Sequence, residues 1–319
     1  MINTLYKNLS DHIVGFYKFM TKEYFLKGVS LARIGIGLLI VYNYLILYHQ
    51  RQVIYGPNGI VGSQYNSYTL YGLSDEAWYF ELIYHAGIIF AILFTLGYKE
   101  KIVGIINFIL TFSFIRQGFL VTDGGDNLTY LLLFYLLFAR TNVFYSIDSK
   151  KRKENKLSTK IDLKNIIHNF AVLACIVQVC IMYFVSGLYQ VQGDKWANGT
   201  AIYYILQTDV FSNPNLSDIV SNNVYLMVSL TYLSIIIKIA FPFMILNKKT
   251  KYLAVFSIIG FHLGIAVFMG LITFSLTMII AELILFTDKE FESFEEFLKK
   301  LQFKLKKISN EPFLKRRES

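Results

Sequence analysis

Across 319 residues the chain is 55% hydrophobic, 17% aromatic and only 17% charged, with a mean hydropathy of +0.46. An ordinary soluble domain carries about 25% charged residues, so this composition excludes a soluble globular enzyme and a disordered chain. Lys and Arg outnumber the acids 31 to 22, a net charge of +9. In a soluble protein that excess would point to nucleic acid; in a membrane protein it marks loops kept in the cytoplasm, and no nucleic-acid partner is expected.

The elements follow in chain order. In residues 1–28, Lys7, Lys18, Lys22 and Lys27 interrupt every apolar run, which excludes a cleaved secretion signal. Leu5, Leu9, Ile13, Phe16 and Met20 recur at helical spacing beside those lysines, the pattern of an amphipathic helix on the inner leaflet. Apolar windows then predict eight spans, near 29–48, 79–97, 102–121, 127–144, 168–190, 223–246, 251–268 and 271–287. Residues 251–287 form one apolar stretch, but as a single helix it would be ~55 Å long, too long for one crossing; a reversal at Met269-Gly270-Leu271 is expected instead. Residues 288–319 form a basic amphipathic tail, with Phe291, Phe294, Leu298, Leu301, Leu305 and Ile308 repeating every three or four residues between lysines. It reads as a membrane-surface helix or as a docking helix for a cytoplasmic partner. The fold class is all-α: segment 1–28, transmembrane domain 29–287, tail 288–319.

Charge sets the expected orientation. With the amino terminus inside, the segments on that side hold 26 of the 31 Lys and Arg, leaving only Arg33, Arg51, Arg116, Lys195 and Lys238 elsewhere. This predicts eight spans with both termini cytoplasmic. The segments 49–78 and 191–222, rich in Gly, Asn, Ser and Tyr, then lie outside with 116–127 and are where extracytoplasmic chemistry belongs. The two cysteines, Cys175 and Cys180, fall in one apolar run and read as packing residues, with no metal-thiolate spacing. No metal site is expected.

Ionisable groups within spans are costly and mark function or buried pairing. Here they include Arg33, Lys238, His262 and Glu282. Lys238 and Glu282 differ in depth by only ~5 Å, so a structural ion pair, a proton relay or unrelated snorkelling all fit. His262, in FHLGIAVFMG, has the spacing of a packing histidine, and Gly260, Gly264 and Gly270 would let a neighbouring helix approach. The string IRQGFLVTDGGDNLTYLLLF brings Arg116, Asp123 and Asp126 within eleven residues. Two carboxylates beside an arginine can work as acid and base or hold a cation; equally, the aspartates can cap the helix that follows. No H-E-x-x-H, G-x-S-x-G or phosphate loop occurs.

These blocks, R-x(7)-GGD ending at Asp126, then Tyr183-Phe184-Val185-Ser186-Gly187-Leu188 leading to Trp196 and GTA, then GFHLGIAVFMG, resemble the HTTM family. That is the membrane domain shared with vitamin K-dependent γ-glutamyl carboxylases. In those enzymes a lysine shortly after Y-F-x-x-G deprotonates the vitamin K hydroquinone. Gln190 stands at the corresponding place here, and a neutral amide cannot be that base. Carboxylation is therefore not expected, and the 32 residues after the last span leave no room for the soluble domain of those enzymes.

In length and layout the chain is most similar to the sporulation-delaying-protein B type factors. That likeness implies maturation of an exported antimicrobial peptide in a bacterial cytoplasmic membrane, with the peptide precursor and a small accessory membrane protein as partners. The expected site puts Arg116, Asp123 and Asp126 in catalysis and Asn127, Gln190, Trp196 and Asn198 on the substrate, all at the outer ends of the middle spans. Two alternatives stay open: a quinol-using oxidoreductase or carboxylase-like enzyme, with a quinone as its cofactor, and a non-catalytic transporter, immunity or scaffold protein.

Overall fold

Every long apolar run folds as a helix, and no strand occurs among the described residues. The computed structural model describes residues 14, 15, 17, 20–61, 68–118, 122–149, 161–208 and 214–315, with the side chains of 161, 162, 214, 215 and 304–315 excepted. Apart from short helices in the connections, eight helices among the described residues form the bundle and alternate in direction: α1 Leu26–Ile46, α2 Ala77–Leu96, α3 Glu100–Gln117, α4 Gly124–Leu136, α5 Ile161–Gln192, α6 Val224–Met244, α7 Lys248–Met269 and α8 Ile272–Glu282. A ninth, α9 Asp288–Lys315, follows them. The upper end of the bundle carries Gly124, Trp196 and Gly270, and the lower end carries Lys27, Arg140 and Lys251. The expected reversal lies at Gly270, whose φ of 69° suits a residue without Cβ.

Five of these helices, α1, α2, α5, α6 and α7, are long and apolar enough to cross a membrane. The other three predicted spans are helices as well but do not reach that measure. α4 and α8 have 13 and 11 residues, about 20 and 17 Å against a hydrocarbon core of ~30 Å, and α3 carries Glu100, Lys101 and Arg116. The early end of α4, at Leu136 instead of 144, has a cause in side-chain hydrogen bonds. Lys101 Nζ donates to the Leu137 carbonyl at 2.8 Å, and Glu100 accepts from the backbone N–H groups of Thr141 and Asn142. Arg33 takes the carbonyls of Thr141 and Tyr145.

α1 is central, burying Val29, Ala32, Ile36, Ile40 and Tyr44 at helical spacing. It packs closely on α2, where a Cβ at Gly37 would come within 2.2 Å of Thr95 Oγ1 and one at Gly87 within 2.4 Å of the Tyr44 hydroxyl. Such contacts are how apolar helices associate when no hydrophobic gain separates helix from lipid. Arg33, 1% exposed, reaches from α1 to the carbonyls of Phe94, Thr95, Thr141 and Tyr145. It thereby ties the end of α2 and the segment after α4 to the centre.

The lower end is stitched by groups from distant parts of the chain. Asn165, His168 and Asn169 on α5 bind the carbonyls of Thr21, Tyr24 and Met20, and Arg140 pairs with Glu23 at 2.7 Å. The first turns of α9 dock through Lys27 to Glu295 and Lys251 to Glu290, at 3.0 and 2.7 Å. Tyr145 and Tyr252 add hydroxyl bonds to the same two glutamates. Phe294, Phe297, Leu301 and Phe303 on α9 are exposed. The amphipathic reading of residues 1–28 rests mainly on positions outside the described residues, as do the side chains of Leu305 and Ile308.

Candidate functional site

Five helices, α4 to α8, enclose a cavity of about 430 Å³ in the middle of the bundle. Its polar lining comes from Asn127 on α4, Gln178, Tyr183 and Ser186 on α5, Lys238 on α6 and His262 on α7, set among Leu128, Leu131, Met182, Phe261, Phe274 and Met278. A mostly apolar pocket of this size with a few convergent polar groups is the usual form of a ligand site.

The polar groups form a broken chain. Lys238 Nζ lies 3.4 Å from Ser186 Oγ and 4.8 Å over the ring of Phe261. His262 Nε2 and the Tyr183 hydroxyl are 3.2 Å apart, and Tyr183 is itself wedged against Phe241 at 4.7 Å between ring centroids. Beyond Tyr183, the carboxyl of Glu282 faces its hydroxyl from α8. Glu282 is wholly buried, and both its oxygens, together with His262 Nδ1 and Gln190 Oε1, have no hydrogen-bond partner among the described residues. Buried polar atoms left so are rare in native proteins and mark places where chemistry or a ligand is accommodated.

Of the readings left open for Lys238 and Glu282, the ion pair is not among the ion pairs of the described residues. Tyr183 and His262 occupy the space between α6 and α8, and the amine turns to Ser186 on α5. The glycines of α7 also depart from expectation. A Cβ at Gly260, Gly264 or Gly270 would meet nothing within 4 Å, so no helix packs there. Gly260 and Gly264 instead line a second, apolar cavity of about 460 Å³, with Gln190, Trp196, Leu206, Val220, Leu230, Lys238, Phe261, Phe268 and Met269.

Towards the upper end an open vestibule is lined by Asn127, Gln178, Ser186 and Gln190 together with Gly124, Ile181, Met182, Val185, Tyr189 and Trp196. It shares Gly124, Asn127, Gln178, Met182 and Ser186 with the central cavity, so the two adjoin. Asn127, Gln190 and Trp196 therefore come together as expected, whereas Asn198 lies exposed at the end of the short helix Asp194–Ala197 and lines neither space.

Asp123 and Asp126 form a reciprocal cap on α4. Asp123 Oδ1 accepts from the N–H groups of Gly125 and Asp126 at 2.7 and 3.1 Å, and Asp126 Oδ2 accepts from Asp123 N–H at 3.1 Å. Arg116 is exposed in the last turn of α3. None of these three lines the cavities, and Arg33 is likewise engaged elsewhere, as the clamp on α2. Tyr183, Ser186 and Gln178 are the lining residues that sequence reading did not single out. A signal for two of them was present: Tyr183 and Ser186, three residues apart, share the face of α5 that also carries the expected Gln190, four residues beyond Ser186.

With this geometry in place, comparisons with known proteins add a family. The HTTM domain model matches residues 27–291. Sporulation-delaying protein SdpB of Bacillus subtilis (strain 168) is 28% identical over 212 residues, 64% of this chain and 64% of that protein. "Uncharacterized protein YitO" of the same organism is 23% identical over 193 residues, 59% of this chain and 60% of that protein. The chain thus aligns with less than two thirds of the length of either relative. No solved structure matches it. The match over residues 27–291 covers the whole bundle and every residue of the cavities, and the chain belongs to the HTTM family.

Proposed function

We propose that this HTTM-family protein takes part in the maturation of an exported peptide in a bacterial cytoplasmic membrane. A precursor segment enters the vestibule and meets Lys238, His262 and Tyr183 in the cavity, with Glu282 buried beyond Tyr183. The observation that carries the reading is that the vestibule adjoins the central cavity, the two sharing Asn127, Gln178 and Ser186. This sets the upper surface, where a polar chain arrives, beside titratable groups held away from water. The likeness to SdpB supports the same reading. In this proposal α1 to α8 are eight spans and both termini are cytoplasmic, so the vestibule faces outward. The short α4 and α8 are accommodated because they line an internal cavity, where the bilayer's full thickness need not be matched.

The test is mass spectrometry of a co-encoded secreted peptide from cells with and without the protein, and with Lys238→Met, Tyr183→Phe or Asp126→Asn at equal membrane levels. The proposal expects a mass change that needs the protein, is lost in Lys238→Met and Tyr183→Phe, and persists in Asp126→Asn. An unchanged mass in cells lacking the protein would refute it. A periplasm-dependent reporter should be active when inserted after Gln207 and silent after Ser149; activity after Ser149 would overturn the orientation.

A second reading, a carboxylase-like or quinol-using enzyme, is favoured by one observation. The amine that Gln190 does not provide is supplied to the same cavity by Lys238 from the neighbouring helix. Quinone retained by the purified protein and lost in Lys238→Met would support it over peptide maturation.

A further inference from the structure

The apolar groove beside Gly260 and Gly264 has three features that contacts among the described residues leave wholly or partly unused, Lys238 keeping only Ser186 and the face of Phe261. Among the described residues it is empty of side chains over two glycines one helical turn apart, where a Cβ would touch nothing within 4 Å. At its deep end stands Lys238, 9% exposed, whose bond to Ser186 at 3.4 Å is long and whose candidate carboxylate partner lies elsewhere. On its wall Gln190, 8% exposed, presents an Oε1 with no donor among the described residues. The remaining wall is Trp196, Ile202, Leu206, Val220, Phe261, Phe268 and Met269, apolar throughout.

Each feature asks for a different chemical group. A buried amine with no carboxylate beside it asks for an acid: acid and amine together form a pair that is neutral overall, wherever the proton sits, and such a pair survives in a low dielectric where a lone ion does not. An orphaned amide oxygen asks for an N–H donor. A glycine-floored apolar groove asks for bulky aliphatic or aromatic groups. A fatty acid offers the acid and the tail but no N–H, and an internal peptide segment offers the N–H without the terminal acid. A peptide's last residue offers all of them together, with its carboxylate and its own amide N–H only ~3 Å apart by covalent geometry. The spacing agrees, because Gln190 lies one turn, ~6 Å, above Ser186, the residue that Lys238 touches.

From this geometry we infer that the groove seats the carboxyl-terminal end of an apolar peptide, with the carboxylate at Lys238, the last amide N–H at Gln190 Oε1 and the terminal side chains against Gly260 and Gly264. The inference deepens the maturation reading, on which it rests, by naming the end of the chain that is held and its chemistry. It places the body of the peptide in the vestibule, which the groove joins at Gln190 and Trp196.

The experiment uses the full-length protein in detergent and a dye-labelled hexapeptide ending in Leu-Leu-Phe. Fluorescence anisotropy compares the free acid, its carboxyl-terminal amide and a version methylated on the last peptide nitrogen. The acid should bind about tenfold more tightly than either, roughly the effect of one hydrogen bond to a charged group. The preference over the amide should vanish in Lys238→Met, and that over the methylated form in Gln190→Leu. Gly264→Leu, which the open space tolerates, should weaken all three by about tenfold or more. The wild-type comparison needs no variant to fold. Equal binding of acid and amide, an acid preference that persists in Lys238→Met, unchanged binding in Gly264→Leu, or full displacement by palmitate with no effect of methylation would each overturn the inference. Binding discrimination with no change in secreted peptide mass would overturn the maturation proposal and leave the groove assignment standing.

Discussion

Arg33 offers the sharpest test of how the bundle is held together. Its guanidinium is buried in α1 and gives hydrogen bonds to four backbone carbonyls, those of Phe94, Thr95, Thr141 and Tyr145. Replacing it with Met keeps the apolar stem and removes every donor. Bonds from a charged group are worth about 1.5–3 kcal/mol each, so four would suggest roughly 6–12 kcal/mol. Removing the charge also recovers its desolvation cost, several kcal/mol. The expected net loss is about 3–5 kcal/mol, a hundredfold to several-thousandfold shift in the folding equilibrium. Arg33→Lys keeps the charge but replaces a planar fork with a single point, so it should lose about 2 kcal/mol. Unfolding by SDS titration in mixed micelles, followed by the fluorescence of Trp78 and Trp196, measures both. A Met variant within about 1 kcal/mol of the parent, or a Lys variant less stable than the Met variant, would refute the clamp.

The remaining predictions concern single elements. Burial works against an ionised Glu290, but hydrogen bonds from Lys251, Tyr252 and Thr287 outweigh it and hold its pKa down at about 2 against the ordinary 4.5. Because the folded value is the lower one, its contribution is complete above about pH 4.5 and is lost as the pH falls towards 2; between about pH 7 and pH 3, melting temperature should drop less in Glu290→Gln than in the parent. Gly97→Ala should cost about 2 kcal/mol or more, since φ is 69° there and the new Cβ would lie 2.4 Å from Ser146 Cβ; Gly260→Ala, with open space around it, should leave the melting temperature unchanged or slightly raised. Asp123→Ala removes the α4 cap and should cost about 1–2 kcal/mol in the same SDS titration, whereas Asp126→Asn keeps an acceptor and should cost less than about 0.5 kcal/mol.

The eight apolar runs were legible because a span must satisfy its backbone within itself, which leaves a local signature of length and hydropathy. Two helix termini were legible for the same reason: Asp123 and Gly270 act on groups within a few residues of themselves. What α1 does with Arg33 was not, because its partners lie 61 to 112 residues away. The stitching of segment 20–25 by Asn165, His168 and Asn169 was hidden likewise. Depth alone also misled. Lys238 and Glu282 stand at nearly one level, but level says nothing of azimuth, and Tyr183 and His262 fill the interval between them.

The same limit explains why the expected outer cluster divides. Asp123 and Asp126 are close in sequence and bind each other's amides, so their proximity is spent on starting α4. Asn127, one residue further, turns to the cavity because the helix has by then rotated it ~100° from Asp126. Gln190 and Trp196 reach the vestibule from another helix and its following turn. Lys238 and His262 arrive from two more, so no single stretch of sequence carries the constellation. A buried amine, imidazole, phenol and carboxyl drawn from α5, α6, α7 and α8, none paired as an ion pair, cost the bundle stability that apolar residues would have supplied. Three of these residues line one cavity, with Glu282 buried beyond Tyr183, an arrangement better explained by what it does to a ligand than by what it contributes to the fold.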